Sequence, residues 1–359
     1  MARRGNNIYH RQDGRWEGRY YCKGSRKYKS VYGKTYTEAK AKLDKLRNEV
    51  LIPSARCNML FADVLKMWLE SRRAKIKESS YASYRNKLEK HIFPYFGELK
   101  YYRLDLDQIN RFISDKLTAG LSEKYVSDMV IMIKSAAKWA ETNYNYANQV
   151  RNSELPKPRA KETAVFSQEE QKSLLASIEQ THDLTACGVL LTLFTGLRIG
   201  ELCALQWKNF DFTNKILHIR KTVQRMSIFG SDRKTEVKIT APKSESSARD
   251  IPLPVFLLEK LSVYKGNPDD YVVSGCEKLV EPRTFANRYK ALLRKANVSS
   301  RKFHCLRHTF ATIALQQSFD VKALSEILGH SNANITMRVY IHSSMERKSA
   351  CMDRLQALI

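Results

Sequence analysis

Apolar side chains recur every three or four residues between positions 59 and 150, which is the spacing of the buried face of an α-helix. The clearest stripe runs through Val126, Met129, Val130, Ile133, Ala136, Ala137 and Ala140. We predict four helices and no strand here, at 61–69, from about 79, at 107–117 and at 122–139. The second helix is expected to stop before Pro94, because proline disfavours helical backbone at the residue before it.

The first 50 residues have a different pattern, in which aromatic and basic residues alternate over short stretches. Asp13-Gly14 is a strong signal for a hairpin turn, and a second turn is expected around 23–25, so that three short antiparallel strands follow. Thr37 is expected to cap a helix whose buried face includes Ala39 and Leu43. These residues therefore predict a small sheet covered by one helix.

Beyond position 165 the pattern is helical again, with one interruption by extended segments, DFTNKILHIRKTV and TEVKITAPKSESSARDIPLP. Two prolines and several charges at 151–164 predict a linker before this part of the chain. The predicted fold class is mainly α with small β elements (α+β). Its three domains are expected at 1–52, 59–150 and 165–359.

The charge of the chain narrows the class of its partners. Lysine and arginine number 62 against 37 acidic residues, a net charge of +25, which indicates a polyanion such as DNA, RNA or an anionic membrane surface. No run of 18 apolar residues and no apolar signal-peptide core is present, so we expect no membrane contact and a cytoplasmic protein. The seven cysteines show no metal-ligand spacing, so we expect reduced thiols and no metal site.

The N-terminal sheet is the first candidate for nucleic-acid contact, because charge and aromatic rings share its strands. A sheet of this kind can enter a major groove. The alternative is a basic face that only contacts water. The candidate DNA contacts are Arg15, Arg19, Tyr20, Lys27 and Lys29.

Three short segments of the C-terminal part carry candidate chemistry. In TGLRIGEL, Gly196 is expected to cap an apolar helix and Arg198 to begin the next, with Glu201 in reach three residues later. In HCLRHTFAT, His304 and Arg307 are one helical turn apart and face the same way. The third segment, LSEILGHSNANITMRVY, places His330 after a helix that ends at Gly329, and ends at Tyr340. His308 is expected to be a packing or supporting residue.

Each of these residues has an ordinary structural interpretation: a surface ion pair for Arg198 and Glu201, a half-buried aromatic for Tyr340. Together they fit phosphodiester transfer. Guanidinium groups match the phosphate oxygens in geometry and charge, and a tyrosine hydroxyl becomes a nucleophile when a neighbour such as histidine takes its proton. A lysine or histidine must then protonate the departing sugar oxygen, and no metal is needed.

With these residues assembled, the chain resembles a tyrosine recombinase of the phage and conjugative-transposon integrase type over essentially its whole length. The resemblance implies that Arg198, His304, Arg307, His330 and the nucleophile Tyr340 are catalytic, with Glu201 as acidic companion of the first arginine. APKSESSARDIPLP is similar to the family's β-hairpin, whose lysine acts as general acid. That lysine would be Lys243, although Lys234 and Lys238 are nearby competitors.

The resemblance also implies an arm-type DNA-binding domain at 1–52, a helical core-binding (SAM-like) domain at 59–150 and a catalytic domain with a C-terminal tail at 165–359. It implies a site-specific recombinase that forms a 3′-phosphotyrosine, integrates and excises a mobile element without a cofactor, and works as a homo-tetramer on core and arm-type sites. An excisionase or a host DNA-bending protein is a possible accessory. The tail would pack on its own domain or on a neighbouring protomer. Alternatives are a dimer resolvase, a type IB topoisomerase and a DNA-binding regulator without catalysis.

Overall fold

The computed structural model describes residues 7–22, 27–50, 58–157, 165–228, 235–242, 245–330 and 332. The chain divides into two compact units, Met1–Ala160 and Lys161–Ile359. Each unit has its own buried apolar cores. In the part of the chain that the structure describes, no helix has the length and hydrophobicity needed to cross a membrane.

The first unit begins with a three-stranded antiparallel sheet in the order β1-β2-β3. Its strands are β1 (Ile8–His10), β2 (Trp16–Cys22) and β3 (Lys27–Gly33), and helix α1 (Tyr36–Val50) covers one face. The turn predicted at Asp13-Gly14 is confirmed, since Gly14 has a φ of +79° and donates a hydrogen bond to the Arg11 carbonyl at 3.1 Å. The predicted cap is wrong by two residues: the Thr35 hydroxyl, not that of Thr37, accepts from the Glu38 amide at 3.2 Å.

The rest of this unit is helical. The helices are α2 (Phe61–Arg72), α3 (Glu78–Lys87), α4 (Phe93–Phe96), α5 (Leu106–Thr118) and α6 (Glu123–Tyr144), with a π-helical turn at Leu88–Ile92. The apolar stripe of α6 is buried as predicted. The expected stop before Pro94 is wrong, because the wide π-turn comes first and Pro94 falls in the first turn of α4, where no helical hydrogen bond needs its missing N–H.

The second unit packs seven helices and two small sheets around one main core in its described part. The helices are α7 (Gln168–Thr181), α8 (Leu184–Thr195), α9 (Ile199–Cys203), α10 (Val255–Ser262), α11 (Pro282–Lys295), α12 (His304–Gln316) and α13 (Val321–Leu328). Helix α8 is buried along nearly its whole length, and α12 packs against it. The central helix therefore gives the segments at its C-terminal end a rigid support.

The strands of this unit form two separate antiparallel sheets. They are β4 (Phe210–Asp211), β5 (Ile216–Ile219), β6 (Thr222–Ser227), β7 (Thr235–Thr240) and β8 (Arg249–Pro252). Strands β4, β5 and β8 make one sheet, whereas β6 and β7 pair as a hairpin. The expectation that APKSESSARDIPLP is itself a hairpin is therefore wrong, because β7 pairs with β6 and β8 pairs with β5.

Candidate active site

Two glycines end the helices that frame the candidate site. Gly196 ends α8 and Gly329 ends α13, with φ values of +66° and +65°, as the sequence predicted. A side chain is excluded at Gly196 on a second ground, since a Cβ there would lie 2.6 Å from the Phe310 ring and 2.7 Å from Leu328. The two helix ends lie close together, and both present backbone carbonyls to the same side chain.

Arg307 lies at the centre of these carbonyls. It is on α12, as predicted, and is 1% exposed. Its guanidinium donates to the Gly196 carbonyl at 2.8 Å and the Leu328 carbonyl at 2.7 Å. One of its nitrogens also lies 2.8 Å from His330 Nε2. The packing holds this charge in one orientation.

Arg198 immediately precedes α9 and is the more accessible arginine, with 36% of its side chain exposed. Its guanidinium donates to Glu201 Oε1 at 2.7 Å and to the Gly329 carbonyl at 3.1 Å, and its amide donates to Glu201 Oε2 at 3.0 Å. The predicted contact with Glu201 is confirmed. It is not a surface ion pair, because Glu201 is 3% exposed.

Arg249 is a third arginine of the site, and the sequence analysis missed it. It lies at the start of β8 with 5% of its side chain exposed, and it binds both Glu201 oxygens at 3.1 and 3.0 Å. Burial raises the pKa of Glu201, but hydrogen bonds from Arg249 and the charges of Arg249 and Arg198 lower it below its ordinary value. The signal was the alternation in RDIP, where Arg249 and Ile251 share the buried side of the strand.

The three arginines bind three successive carbonyls at the C-terminal end of α13. Arg249 donates to Ile327, Arg307 to Leu328 and Arg198 to Gly329. These carbonyls have no partner within the helix, and the end of a helix carries partial negative charge. The arginines therefore satisfy the helix end and fix the backbone just before His330.

His330 is neutral in this arrangement. A guanidinium can only donate, so Nε2 of His330 accepts from Arg307 and its ring hydrogen is on Nδ1. Burial and the charges of Arg307, Arg198 and Arg249 together lower the pKa of His330 to about 4. At neutral pH this side chain is a hydrogen-bond donor without charge.

His304 begins α12 and faces the same cluster. Desolvation, with smaller effects of His308, Arg307 and Arg198, lowers the pKa of His304 to about 4. Its ring meets the His308 ring edge to face, with the centroids 4.5 Å apart, and burial lowers the pKa of His308 as well. His304 is therefore neutral near pH 7 and able to accept a proton.

Two predicted residues, Lys243 and Tyr340, lie outside the described residues, as do Lys234 and the C-terminal tail. The competitor Lys238 is on β7, with its ammonium 3.8 Å from the Glu236 carboxylate. The structure thus brings together Arg198, Glu201, His304, Arg307, His308 and His330, the predicted site residues that it describes in this unit.

In the first unit, the face of the N-terminal sheet opposite α1 is a second candidate surface, which we call the open face. It carries Arg19 and the rings of Tyr9, Tyr21, Tyr28 and Tyr32, each more than 40% exposed. Arg19 stacks on Tyr9 at 5.5 Å, and the nearby Arg15 lies 5.4 Å from the ring centroid of Tyr32. The sequence analysis named the two arginines but missed the tyrosines.

Tyr20 and Lys29 are not on the open face. They pair directly across β2 and β3, and side chains alternate along a strand, so both point to the side of α1. The Tyr20 ring packs against the cluster of Ile8, Ala39 and Leu43. Tyr20 and Lys29 therefore lie on the other face of the sheet from Arg19, and their contact with DNA stays a prediction. Lys27 pairs with Cys22 at the end of β3.

A buried carboxylate organises the open face. Glu17 is 4% exposed and accepts hydrogen bonds from Arg19 at 3.0 Å, Arg11 at 3.0 Å and Ser30 at 2.7 Å. The hydrogen bonds from Arg19 and Ser30 lower the pKa of Glu17 to about 2. The two arginines therefore remain exposed to solvent, while the buried Glu17 carboxylate holds their guanidinium groups in place.

Comparison with known proteins assigns residues 164–347 to the family described as "Phage integrase family" and residues 60–117 to "Phage integrase, N-terminal SAM-like domain". A XerC-like tyrosine recombinase of Caldanaerobacter subterraneus is 29% identical, with 92% of each chain covered. The ICEBs1 integrase of Bacillus subtilis is 24% identical, with 88% of each chain covered.

Two solved structures share the fold. The Tn1549 transposon integrase in complex with transposon right end DNA has a TM-score of 0.67 at 20% identity, covering 83% of this chain and 100% of that one. A lambda integrase tetramer bound to a Holliday junction has a TM-score of 0.60 at 15% identity, covering 93% and 95%.

Proposed function

Because the chain belongs to the phage integrase family, we propose which of its residues perform the reaction of that family. The protein is an enzyme, a tyrosine recombinase that recombines DNA at specific sites and integrates mobile elements. The roles below belong to the cluster around Arg307 and to two residues outside the described part of the chain, Lys243 and Tyr340.

Arg198 and Arg307 bind the scissile phosphate, and His330 donates a hydrogen bond to it from Nδ1. The observation that carries this assignment is the convergence of three guanidinium groups on one helix end, with Glu201 as the one carboxylate among the described residues that binds any of them. The excess positive charge matches a phosphodiester, which gains negative charge on its oxygens in the transition state.

Tyr340 is the nucleophile. A tyrosine hydroxyl ordinarily has a pKa of about 10, so the nucleophile needs a base. We assign that role to His304, which is neutral at pH 7 and whose lowered pKa the negative charge of a bound phosphate would raise. The phenolic oxygen bonds to phosphorus as the bond to the 5′ oxygen breaks, which leaves a 3′-phosphotyrosine. His304 takes the phenolic proton, and Lys243 gives a proton to the departing 5′ oxygen.

The second half of the reaction reverses the first on a new strand. A 5′-hydroxyl from a partner duplex attacks the phosphotyrosine and releases Tyr340. One phosphodiester is exchanged for another, so the reaction needs neither ATP nor another cofactor.

The two segments that precede the catalytic domain bind DNA in this proposal, and a linker joins them to it. We assign residues 1–52 to arm-type sites, 59–150 to core sites as a SAM-like domain, 151–164 to a linker and 165–359 to catalysis. The open face, with Arg19 and its tyrosines, supports the first assignment. The working complex is a homo-tetramer on two duplexes in the bacterial cytoplasm, assisted by an excisionase or a host DNA-bending protein.

The decisive experiment replaces Tyr340 with Phe. Wild-type protein should become covalently attached to a nicked duplex carrying the junction of its element, obtained by sequencing the joints that it makes in cells. The Tyr340→Phe variant should bind the same duplex with unchanged affinity and form no adduct. An adduct that survives the substitution contradicts the assignment of the nucleophile.

The same duplex separates the alternatives. A topoisomerase relaxes supercoiled plasmids but does not recombine two plasmids that carry the site, whereas the proposed recombinase does both. A regulator without catalysis binds the duplex but forms no adduct even as the wild-type protein.

A further inference from the structure

Arg249 has no role in the reaction proposed above. It is nevertheless the most deeply buried arginine of the site after Arg307. We propose that Arg249 is a positioning residue for strand cleavage that acts through Glu201 and through the C-terminal end of α13. This inference rests on the proposed function, because it concerns the geometry of the same phosphate-binding groups.

The first argument is the shared carboxylate. Glu201 binds Arg249 through both oxygens, at 3.1 and 3.0 Å, and also binds the guanidinium and the amide of Arg198. A carboxylate held by one arginine alone can rotate about its side-chain bonds. Arg249 removes that freedom, so that Glu201 offers Arg198 an acceptor at a fixed place.

The second argument is accessibility. The side chains of Arg249 and Glu201 are 5% and 3% exposed, whereas that of Arg198 is 36% exposed. Arg198 is the exposed partner of Glu201, whereas Arg249 directs its guanidinium inward, to that carboxylate and to the carbonyls of Ile327 and Ser247. Arg249 therefore influences the reacting groups only through what it holds.

The third argument is the link to α13. Arg249 donates to the carbonyls of Ile327 and Ser247, and a Cβ on Gly329 would lie 3.0 Å from its Cδ. Its side chain therefore joins the turn Glu245–Ser247, which follows Lys243 in the chain, to the helix end that precedes His330. Stability alone does not explain this buried arginine, because apolar residues often replace buried ion pairs without loss of stability. We therefore attribute to Arg249 the positioning of these two segments.

The test compares Arg249→Met and Arg249→Lys with a matched control. Arg301→Met removes an arginine that likewise binds a carboxylate, Glu170, and a backbone carbonyl, that of Val165, at another place in the unit. The full chain is tested on the junction duplex described above, at saturating concentration and in single turnover. Affinity for the duplex and the melting temperature are measured for every variant.

We expect Arg249→Met to slow cleavage by between about tenfold and a hundredfold, as small misplacements of reacting groups do, with affinity within about twofold of wild type. Arg249→Lys should recover part of the rate, since an ammonium retains the charge but loses the paired geometry. Arg301→Met should cleave at the wild-type rate even if its melting temperature falls equally.

The pH dependence provides a readout that a merely structural role would not change. Glu201 is faced by Arg198, Arg249 and His304, and Arg249 is the largest of the influences that lower its pKa. Without Arg249, the acid limb of the rate profile should move to higher pH. An Arg249→Met protein that cleaves at the wild-type rate with an unchanged profile overturns the inference.

Two outcomes keep this test apart from that of the proposed function. If the wild-type protein forms no adduct that depends on Tyr340, the proposed function fails before Arg249 is considered. If Arg249→Met does not fold, Arg249→Lys decides: a wild-type rate and profile in that variant overturn the inference, and a slowed rate with a shifted acid limb supports it.

Discussion

The second unit and the N-terminal sheet contain the same arrangement of charges in different surroundings. In each, a buried glutamate lies between two arginines: Glu201 between Arg198 and Arg249, and Glu17 between Arg11 and Arg19. Both carboxylates have lowered pKa values because the arginines donate hydrogen bonds to them. What differs is the surroundings of the arginines.

Around Glu201 the arginines reach backbone carbonyls, and Arg249 is buried. Around Glu17 the arginines are 43% and 49% exposed, and Arg19 lies against a tyrosine ring. Carbonyl partners and burial enclose the guanidinium of Arg249, whereas at Glu17 each guanidinium is held by the carboxylate on one side and exposed to solvent on the other. The first arrangement suits chemistry at one phosphate, and the second suits contact with a varied polyanion surface.

The largest effect should follow from disturbing the most rigid arginine. Arg307→Gln removes the guanidinium that we propose binds phosphate and leaves the carbonyls of Gly196 and Leu328 without that partner. We expect cleavage to fall by about a hundredfold to a thousandfold, the usual cost of losing such a donor. Single-turnover cleavage measures this, and Arg307→Lys is the control that retains charge.

Arg19→Gln in the sheet is not expected to slow single-turnover cleavage. A loss of rate as large as that of Arg307→Gln would contradict the distinction between the two sets of arginines. Such a result would mean that exposed arginines also set the rate of chemistry once DNA is bound at saturation.

The second prediction compares the two glutamates. Glu201→Gln leaves Arg249 buried without a counter-charge, so the free energy of unfolding should drop by about 3 kcal/mol, in the range for breaking a buried pair. Glu17→Gln should cost about 1 kcal/mol or less, because solvent screens the exposed arginines. Thermal or denaturant unfolding of both variants measures the difference, and equal losses would remove the distinction between the regions.

The sequence predicted the site in the second unit better than the N-terminal sheet. Helix ends carry local signals, so Gly196, Gly329 and the spacing of His304 and Arg307 were enough to locate the site in the sequence. Arg249 was missed because its partner Glu201 is 48 residues away in the chain, and a local pattern does not encode a contact that the sheet β4-β5-β8 creates.

In the sheet, the strands and the turn at Gly14 were predictable, but their faces were not assigned. Tyr20 and Lys29 were grouped with Arg19 by composition, although alternation along β2 separates Arg19 from Tyr20. The pairing of Tyr20 with Lys29 depends on register, which the hydrophobic pattern of so short a sheet specifies only weakly.

The third prediction concerns pH. Partial desolvation and the neighbouring arginine charges lower the pKa values of His304 and His330 from 6.5 to about 4, so unfolded chains bind more protons than folded ones between those values. The second unit should therefore lose stability as pH falls from 6.5 towards 4. The pKa of Glu17 is lowered from 4.5 to about 2, so the sheet keeps this contribution until pH falls below 4.5.

Hydrogen exchange followed by mass spectrometry checks this for each region separately. From pH 7 to pH 5, after correction for intrinsic rates, protection should fall in segments around α12 and α13 more than in β2. A His330→Asn variant should show a weaker pH dependence around α13. Equal losses of protection in the two regions would contradict the assignment of the titrating groups.

The smallest expected effect tests which side of the sheet meets DNA. Arg19→Ala removes a charge from the open face, and Lys29→Ala removes one from the side of α1. Both variants lose one positive charge, so a contribution from net charge alone would weaken binding equally. We expect Arg19→Ala to weaken binding to arm-type DNA by about tenfold, the effect of one well-placed contact, and Lys29→Ala by much less.

Salt dependence separates a direct contact from a general field. Each lysine or arginine bound to a phosphate adds about 0.9 to the slope of log affinity against log salt, because a condensed counterion is released. Arg19→Ala should reduce that slope by about one, whereas Lys29→Ala should leave it unchanged. If Lys29→Ala reduced the slope and Arg19→Ala did not, DNA would lie on the side of α1.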